Sequence, residues 1–438
     1  MAPDPERQAR QLWQRLAPQR WPLPPAALPP GSALVGGAVR DGLLDRLGPH
    51  PDLDLVVPGD AVALARQLRR RFGGSCVVLD AERSIARLVI EGWTIDLARC
   101  AGDDLSSDLQ RRDYSINALA LPLAGDAPLL DPGGGLADLA AGRLRALAEA
   151  NLLDDPLRLL RGLRLACELG FTIEPLTLSW IETHHQRLGV VAGERVLAEL
   201  ERLAAAPAGD RGLSATLRAG LLAPWAGSGA SPAALACLDG LDAGGARKRG
   251  LDAAEIATAL PLARLAAVLS GEALARLHAS RRLQQQVSRL RRWRERLAPP
   301  AAPATKATTA RTAAASGPAL EALPEAERLA LQRDLEADLP ALLLHLDAAG
   351  ARAALQRWRD PDDPLFHPRP PLDGRRLQSE LGLPAGPELG ALLAHLSRER
   401  AFGRLPQSGA AAESDGLACA RAWLAQRAVT AAAERRHD

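Results

Sequence analysis

Between Pro51 and Val57 the chain reads PDLDLVV. In a strand, Asp52 and Asp54 at i and i+2 share one face while leucine and valine take the other. The stretch therefore belongs in a sheet backed by an apolar core. Two acids on one face repel each other unless cations sit between them. Hard oxygen ligands suit Mg²⁺, which typically takes one or two carboxylates together with phosphate oxygens. Asp52 and Asp54 are thus candidate metal ligands. A third acid, Asp96, sits in the apolar-flanked Thr94-Ile-Asp-Leu97. It either joins the pair in the sheet as a catalytic carboxylate or pairs with Arg87 or Arg99.

Around this strand the text alternates short β-branched runs with helical stretches. Ala33–Val35, Cys76–Leu79, Ile85–Ile90 and Trp93–Ala98 are further strands, and Ala61–Phe72 is a helix closed by Gly73-Gly74. Beyond about Arg143 the β-branched runs thin out, and Leu, Ala, Arg and Glu recur at helical spacing. The pattern predicts an α+β head followed by an all-α remainder. With 438 residues, several domains are expected. Their expected spans are a Pro-rich lead-in 1–30, a head 31–142, neck helices 143–205, a helical body 206–297, a flexible linker 298–318 and a helical tail 319–438. The linker stretch is low in complexity and has no apolar periodicity.

Three further motifs carry chemistry. In Leu34-Val-Gly-Gly-Ala-Val-Arg-Asp41 a strand enters a Gly-Gly turn and a helix follows. Gly36 and Gly37 let backbone approach a ligand, the new helix offers free N–H groups to phosphate, and Arg40 adds a charged clamp. The second is Arg111-Arg-Asp-Tyr-Ser-Ile-Asn117. The third, Asp154-Asp-Pro-Leu-Arg-Leu-Leu-Arg-Gly-Leu-Arg164, spaces Asp155, Arg158, Arg161 and Arg164 three apart. On a helix the first three share an arc of roughly 120°. Such a stripe is either a solvated face opposite leucines or a base reader. A carboxylate accepts from an amino group and a guanidinium donates to the adjacent ring nitrogen or carbonyl. Asp155 with Arg158 admits cytosine and adenine, and rejects uracil and guanine, whose carbonyl would face the carboxylate.

In this order the motifs resemble the class II tRNA nucleotidyltransferase/poly(A) polymerase family, enzymes that build the CCA end of tRNA without a template. GGAVRD, DLD, RRDYSINALAL and DDPLRLLRGLRLACELGF carry the resemblance, densely over 33–203 and patchily beyond. It implies a polymerase β-like head. It implies that Asp52 and Asp54 hold two Mg²⁺, that Gly36, Gly37 and Arg40 line the nucleotide, and that Arg112 contacts the triphosphate with Asn117 close by. Asp155 and Arg158 would pair with the base edge, and Arg161 and Arg164 would meet phosphate or support that pair. The implied partners are tRNA, CTP and ATP, with poly(A) synthesis as the alternative activity. The connection Cys100–Leu109 is short where A-adding members carry a flexible loop, so addition of CC alone is a second alternative, with addition of A alone beside it.

Charge is nearly balanced, 54 Lys+Arg against 52 Asp+Glu, so RNA binding requires a local patch. Seven arginines with Trp293 among them lie between Arg281 and Arg296. Arg289 and Arg292 in this stripe are the expected RNA contacts; a solvated helix is the alternative. Five cysteines form no CxxC pair, and residues 1–30 hold no apolar signal core. A cytoplasmic protein with reduced core thiols and no membrane segment is expected.

Overall fold

The computed structural model describes residues 4–125, 127–226, 231–298, 320–406 and 410–434, in two compact units divided after Gly229. The expected linker 298–318 lies almost wholly outside the described residues. Among the described residues no helix is long and apolar enough to cross a membrane.

The first unit opens with helix α1 (Pro5–Leu16), inside the stretch 1–30 read as a Pro-rich lead-in. Asp4 caps it by accepting from the Glu6 N–H at 3.0 Å, and Pro5 supplies the preset φ of a first helical residue. Its buried Leu12 packs at Gly42, where a Cβ would overlap the leucine methyl. Then follow β1 (Ala33–Val35), α2 (Gly37–Leu43), β2 (Leu53–Val57), α3 (Ala61–Phe72), β3 (Ser75–Asp80), β4 (Ile85–Ile90), β5 (Trp93–Arg99), α4 (Leu105–Gln110) and β6 (Ala120–Pro122). The six strands form one sheet in the order β3-β4-β5-β2-β1-β6. β2 and β5 run parallel and the other neighbours antiparallel, which makes Asp96 the register partner of Asp54. Alternation does its work here: Leu53, Leu55, Ile95 and Leu97 are buried, while Asp54 and Asp96 share the opposite, half-open face.

Helices α5 (Gly135–Ala141), α6 (Glu149–Asp154), α7 (Leu157–Leu169), α8 (Pro175–Thr183), α9 (Gly193–Ala205) and α10 (Gly209–Arg218) follow, and a short parallel pair of strands, Arg143–Leu144 with Thr172–Ile173, interrupts the stretch expected to be all-α. One buried acid fastens the head to these helices. Asp138 of α5 is fully buried and accepts from Ser115 Oγ at 2.6 Å and from Arg145 Nε at 2.9 Å. A buried charge is tolerated only when paired in this way. Helix α7 leans on Tyr114, whose buried hydroxyl donates to the Arg158 carbonyl at 2.7 Å.

The second unit is helical throughout its described residues. Helix Arg281–Leu297, which carries the arginine stripe, buries Val287, Leu290, Trp293 and Leu297. Most of the stripe is committed within the unit. Arg291 donates to the carbonyls of Ala266 and Leu269 at 3.0 and 3.3 Å, and Arg296 pairs with Glu327 at 2.8 Å. Arg292 and the Trp293 indole both meet Asp334, and Arg289 donates to the Asp334 carbonyl at 3.3 Å. The two expected RNA contacts are thus tied to one acidic residue of the same unit. The five cysteines are free but half-buried rather than core residues.

Tyr114 fits against α7 because residue 162 has no side chain: a Cβ on Gly162 would overlap the Tyr114 hydroxyl and ring. Gly162→Ala should therefore cost about 1–3 kcal/mol of stability through overpacking. The loss should shrink in a Tyr114→Phe background, a coupling that denaturant unfolding of the two single variants and the double variant will measure.

Candidate active site

At the turn from β1 into α2, Gly36 has φ 71° and ψ −137°, and a Cβ there would stand 2.8 Å from Asp54 Oδ2. Both facts demand glycine: the positive φ, and the carboxylate lying against the backbone. The turn, the open end of β2, the segment 112–117 and the start of α7 enclose a cleft of about 750 Å³. Gly36, Gly37, Arg40, Asp52, Asp54, Asp96, Arg112, Asn117, Asp155, Arg158, Arg161 and Arg164 all line it. Apart from His50, its cations are guanidinium groups.

Asp54 is the strained member of the carboxylate pair. Burial, together with the negative charges of Asp96 and Asp52, pushes its pKa up to about 6 despite Arg112 and Arg161. Asp52 stands exposed just before β2 begins. Asp96 lies beside Asp54 in register, yet its carboxylate is gripped by Arg87, with Nε and Nη2 each donating at 2.7 Å. Among the described residues no three His, Cys, Asp or Glu side chains converge closely enough to hold a metal. Asp52 and Asp54 remain as a hard-oxygen pair whose uncompensated charge fits a divalent cation.

The arginines are held by a chain of partners that crosses the cleft. Arg40 clasps Asp41 through Nε and Nη2 at 2.8 and 2.9 Å, and its Nη1 donates to Asn117 Oδ1 at 2.8 Å. Asn117 Nδ2 donates in turn to Asp113 Oδ1 at 3.2 Å, and Asp113 Oδ2 faces Arg161 Nε at 3.3 Å. Burial works to raise the Asp113 pKa, but Arg161, Arg158 and its two hydrogen bonds outweigh it and hold the carboxyl ionised. Arg112 rests on Asp108, its Nη2 at 3.1 Å, and Asp108 also accepts from the Ala101 N–H at 2.9 Å.

Asp155 precedes α7 rather than lying on it. Its backbone is extended, one carboxylate oxygen accepts from the Leu157 N–H at 3.3 Å, and the other accepts from Arg195 Nη2 at 2.8 Å. Arg158 donates through Nη1 to the Asn151 carbonyl at 2.7 Å. Asn151 in turn donates to the carbonyls of Gln110 and Arg112 at 2.8 and 2.7 Å. Arg164 is turned elsewhere: it is 6% exposed and pairs with Glu199 of α9 and Glu168, so it ties two helices together. The partners Asp41, Asp113, Asn151 and Arg195 were not singled out from the sequence. Asp41 and Asp113 sit inside the quoted motifs, whereas nothing local pairs Arg195 with Asp155.

This arrangement places the Asp52/Asp54 carboxylates, a set of guanidinium groups and the Asp155/Arg158 pair on one cleft. The profile described as "Poly A polymerase head domain" matches residues 32–145. A second, described as "Probable RNA and SrmB- binding site of polymerase A", matches residues 170–226. A CC-adding tRNA nucleotidyltransferase of Synechocystis is 44% identical over 207 residues, 47% of this chain and 50% of that protein. An A-adding tRNA nucleotidyltransferase of Deinococcus radiodurans is 40% identical over 47% of the chain and 46% of its own length. The chain thus spans about half the length of these relatives. A CC-adding tRNA nucleotidyltransferase of Thermus thermophilus is 33% identical over 410 residues, 85% of this chain and 90% of the other. Among solved structures, a Thermotoga maritima CCA-adding enzyme complexed with tRNA superposes with a TM-score of 0.69 at 20% identity, covering 96% of this chain and 99% of that one.

The raised pKa of Asp54 makes metal-free stability depend on pH in a defined direction. Between the ordinary value of 3.8 and about 6 the folded state keeps a proton that the unfolded chain has lost. Stability contributed by that proton is therefore present below pH 3.8 and lost as pH rises through 6, by up to about 3 kcal/mol at 1.36 kcal/mol per unit. Asp54→Asn should remove this dependence, so that in EDTA at pH 7.5 the variant melts above the wild type. Chemical unfolding of both proteins across pH 4–8 will check the slope.

Proposed function

The chain belongs to the class II tRNA nucleotidyltransferase/poly(A) polymerase family, and from that premise we propose that it builds the tRNA 3′-terminal CCA, in whole or in part, from CTP and ATP. One observation carries the reading: the Asp52/Asp54 pair, the arginine set and the Asp155/Arg158 reader line a single cleft.

In the proposed reaction the incoming base is chosen before chemistry. The amino group of cytosine or adenine donates to Asp155, and Arg158 donates to the neighbouring ring nitrogen or carbonyl. Arg195 and the Asn151 carbonyl hold the two readers in place, so little ordering remains to be done when the base arrives. Arg112 and Arg161 face the phosphates and offset their charge, while Arg40, fixed by Asp41 and Asn117, lines the turn beneath them. Mg²⁺ held by Asp52 and Asp54 would lower the pKa of the tRNA 3′-hydroxyl and stabilise the leaving oxygens. The 3′-oxygen forms its bond to the α-phosphorus in line as the bond to pyrophosphate breaks.

Addition of CC alone is a second reading, and the connection after β5 favours it. From Gly102 onward that connection is pinned rather than free. Asp104 caps α4 by accepting from the Ser107 N–H at 2.7 Å, and Asp108 binds both the Ala101 N–H and Arg112. This leaves little chain for a loop that reshapes the cleft for a final A.

With a tRNA transcript lacking its CCA, Mg²⁺ and both nucleotides, two or three additions are the expected result: three would assign the whole end to this chain, two would assign CC alone. Long tails from ATP alone would replace the reading by poly(A) synthesis. Asp52→Ala should abolish incorporation while leaving tRNA affinity largely intact; turnover near wild type would overturn the metal assignment. Mg²⁺ should also raise the melting temperature of the wild type and not of Asp54→Asn.

A further inference from the structure

The outer edge of the head sheet is left open by the first unit. Among the described residues β3 has β4 on one side and no strand on the other. An edge strand offers backbone N–H and C=O groups to any extended chain, and folded proteins ordinarily blunt such an edge with lysine, proline or a covering element. β3 reads SCVVLD, without lysine, arginine or proline, and its Val77, Val78 and Leu79 are 54%, 38% and 49% exposed. The register irregularity of its ladder falls only at the far end, between Val78 and Asp80. Val77 is the register partner of Arg87, which faces Asp96, so it stands on the half-open face of the sheet. Val78 turns to the opposite face, where α3 packs. Aliphatic side chains are thus open on both faces of the strand, which is the dress of an interior strand rather than of an edge.

Beside this edge the head is basic. The flank of α3 that meets the β3–β4 turn is marked by Val62, whose N–H lies 3.3 Å from Ser84 Oγ. Arg66 and Arg69 follow Val62 at i+4 and i+7 on that flank, with Arg70 next to them. All three are exposed, and among the described residues none of them makes a hydrogen bond or an ion pair. The acids at hand are engaged elsewhere. Asp60 accepts from the N–H groups of Val62 and Ala63 and from Ser84 Oγ, and Asp80 accepts from the Arg83 N–H. A helix C-terminus favours cations, which accounts for Arg69 and Arg70 but neither for Arg66 nor for the apolar edge.

We propose that β3 is a docking edge for an extended acidic segment of another protein. The segment adds to the head sheet beside β3, its backbone pairing with the open edge and its aliphatic side chains alternating onto Val77 and Val78. Its carboxylates meet Arg66, Arg69 and Arg70. Charge decides among the occupants. A second copy joined antiparallel through the same strand would set two α3 flanks against each other, arginine facing arginine. RNA would satisfy the arginines but leave the backbone edge and its aliphatic side chains unmatched. The docked segment lies in the sheet that carries Asp54 but at its far edge, with β4 and β5 between it and β2.

Fluorescence anisotropy of the full chain with a labelled peptide, EVDVEVD, tests this against two controls. One is the basic peptide KVKVKVK; the other is the acidic peptide N-methylated at two adjacent central residues, which blocks both of its edges. The acidic peptide should bind with a Kd below about 0.1 mM, at least tenfold tighter than either control. The triple variant Arg66→Glu, Arg69→Glu, Arg70→Glu and the single variant Leu79→Asp should each lower that affinity at least tenfold while keeping the circular dichroism of the wild type. The proposal is overturned if the acidic peptide fails to bind at about 1 mM, or if either control binds as well as it does. It is equally overturned if the peptide does not bind and the triple variant loses tRNA affinity, which would give the arginines to RNA. A dimer in sedimentation that Leu79→Asp dissolves, with no peptide bound, would make the edge a self-interface and overturn it too.

Discussion

Asp113 is the group on which the first unit's site depends. It is a carboxylate 6% exposed, held ionised between Asn117, the Tyr114 N–H and Arg161. An uncompensated charge in that position would be costly, so three stretches of chain must meet around it. Through Asn117 it reaches Arg40 and the glycine turn; through Arg161 it reaches α7. The same short segment carries Tyr114, whose hydroxyl is spent on the first turn of α7. The glycine turn with Arg40 and the helix that carries Arg161 are thus joined by one polar chain, while Asp155 and Arg158 rest on Arg195 and Asn151.

Much of this was legible because the head is built from period-two strands. β2, β4 and the helix α3 fall where alternation and the Gly73-Gly74 stop put them, and Asp54 and Asp96 emerge on the predicted polar faces. Other features were not legible, for physical reasons. Helix α1 hides among prolines because Pro5 starts a helix instead of breaking one. Asp96 keeps both of its expected partners: it stands beside Asp54 and it binds Arg87, and no local pattern decides between register and pairing. Arg195 reaches Asp155 across 40 residues of sequence, a distance at which spacing says nothing. The arginines at 281–296 looked like one stripe, but carbonyls and acids contributed by distant segments divide them between inward and outward use.

One position in the cleft sets charge against burial. Asp54 keeps a charge that burial and two neighbouring acids oppose, although an amide would rest there more easily. Residues that disagree with their surroundings in this way are where function is expected to override packing.

The cleft's basic side chains, His50 apart, are guanidinium groups, and the chain contains only two lysines. A guanidinium does not lose its proton at any pH a cell reaches, and it is not a substrate for acetylation. The positive charge these groups offer is therefore constant, out of reach of acyl-lysine signalling and indifferent to alkalinity. Any tuning of such a site has to act through its acids, or through the shape of the chain around them.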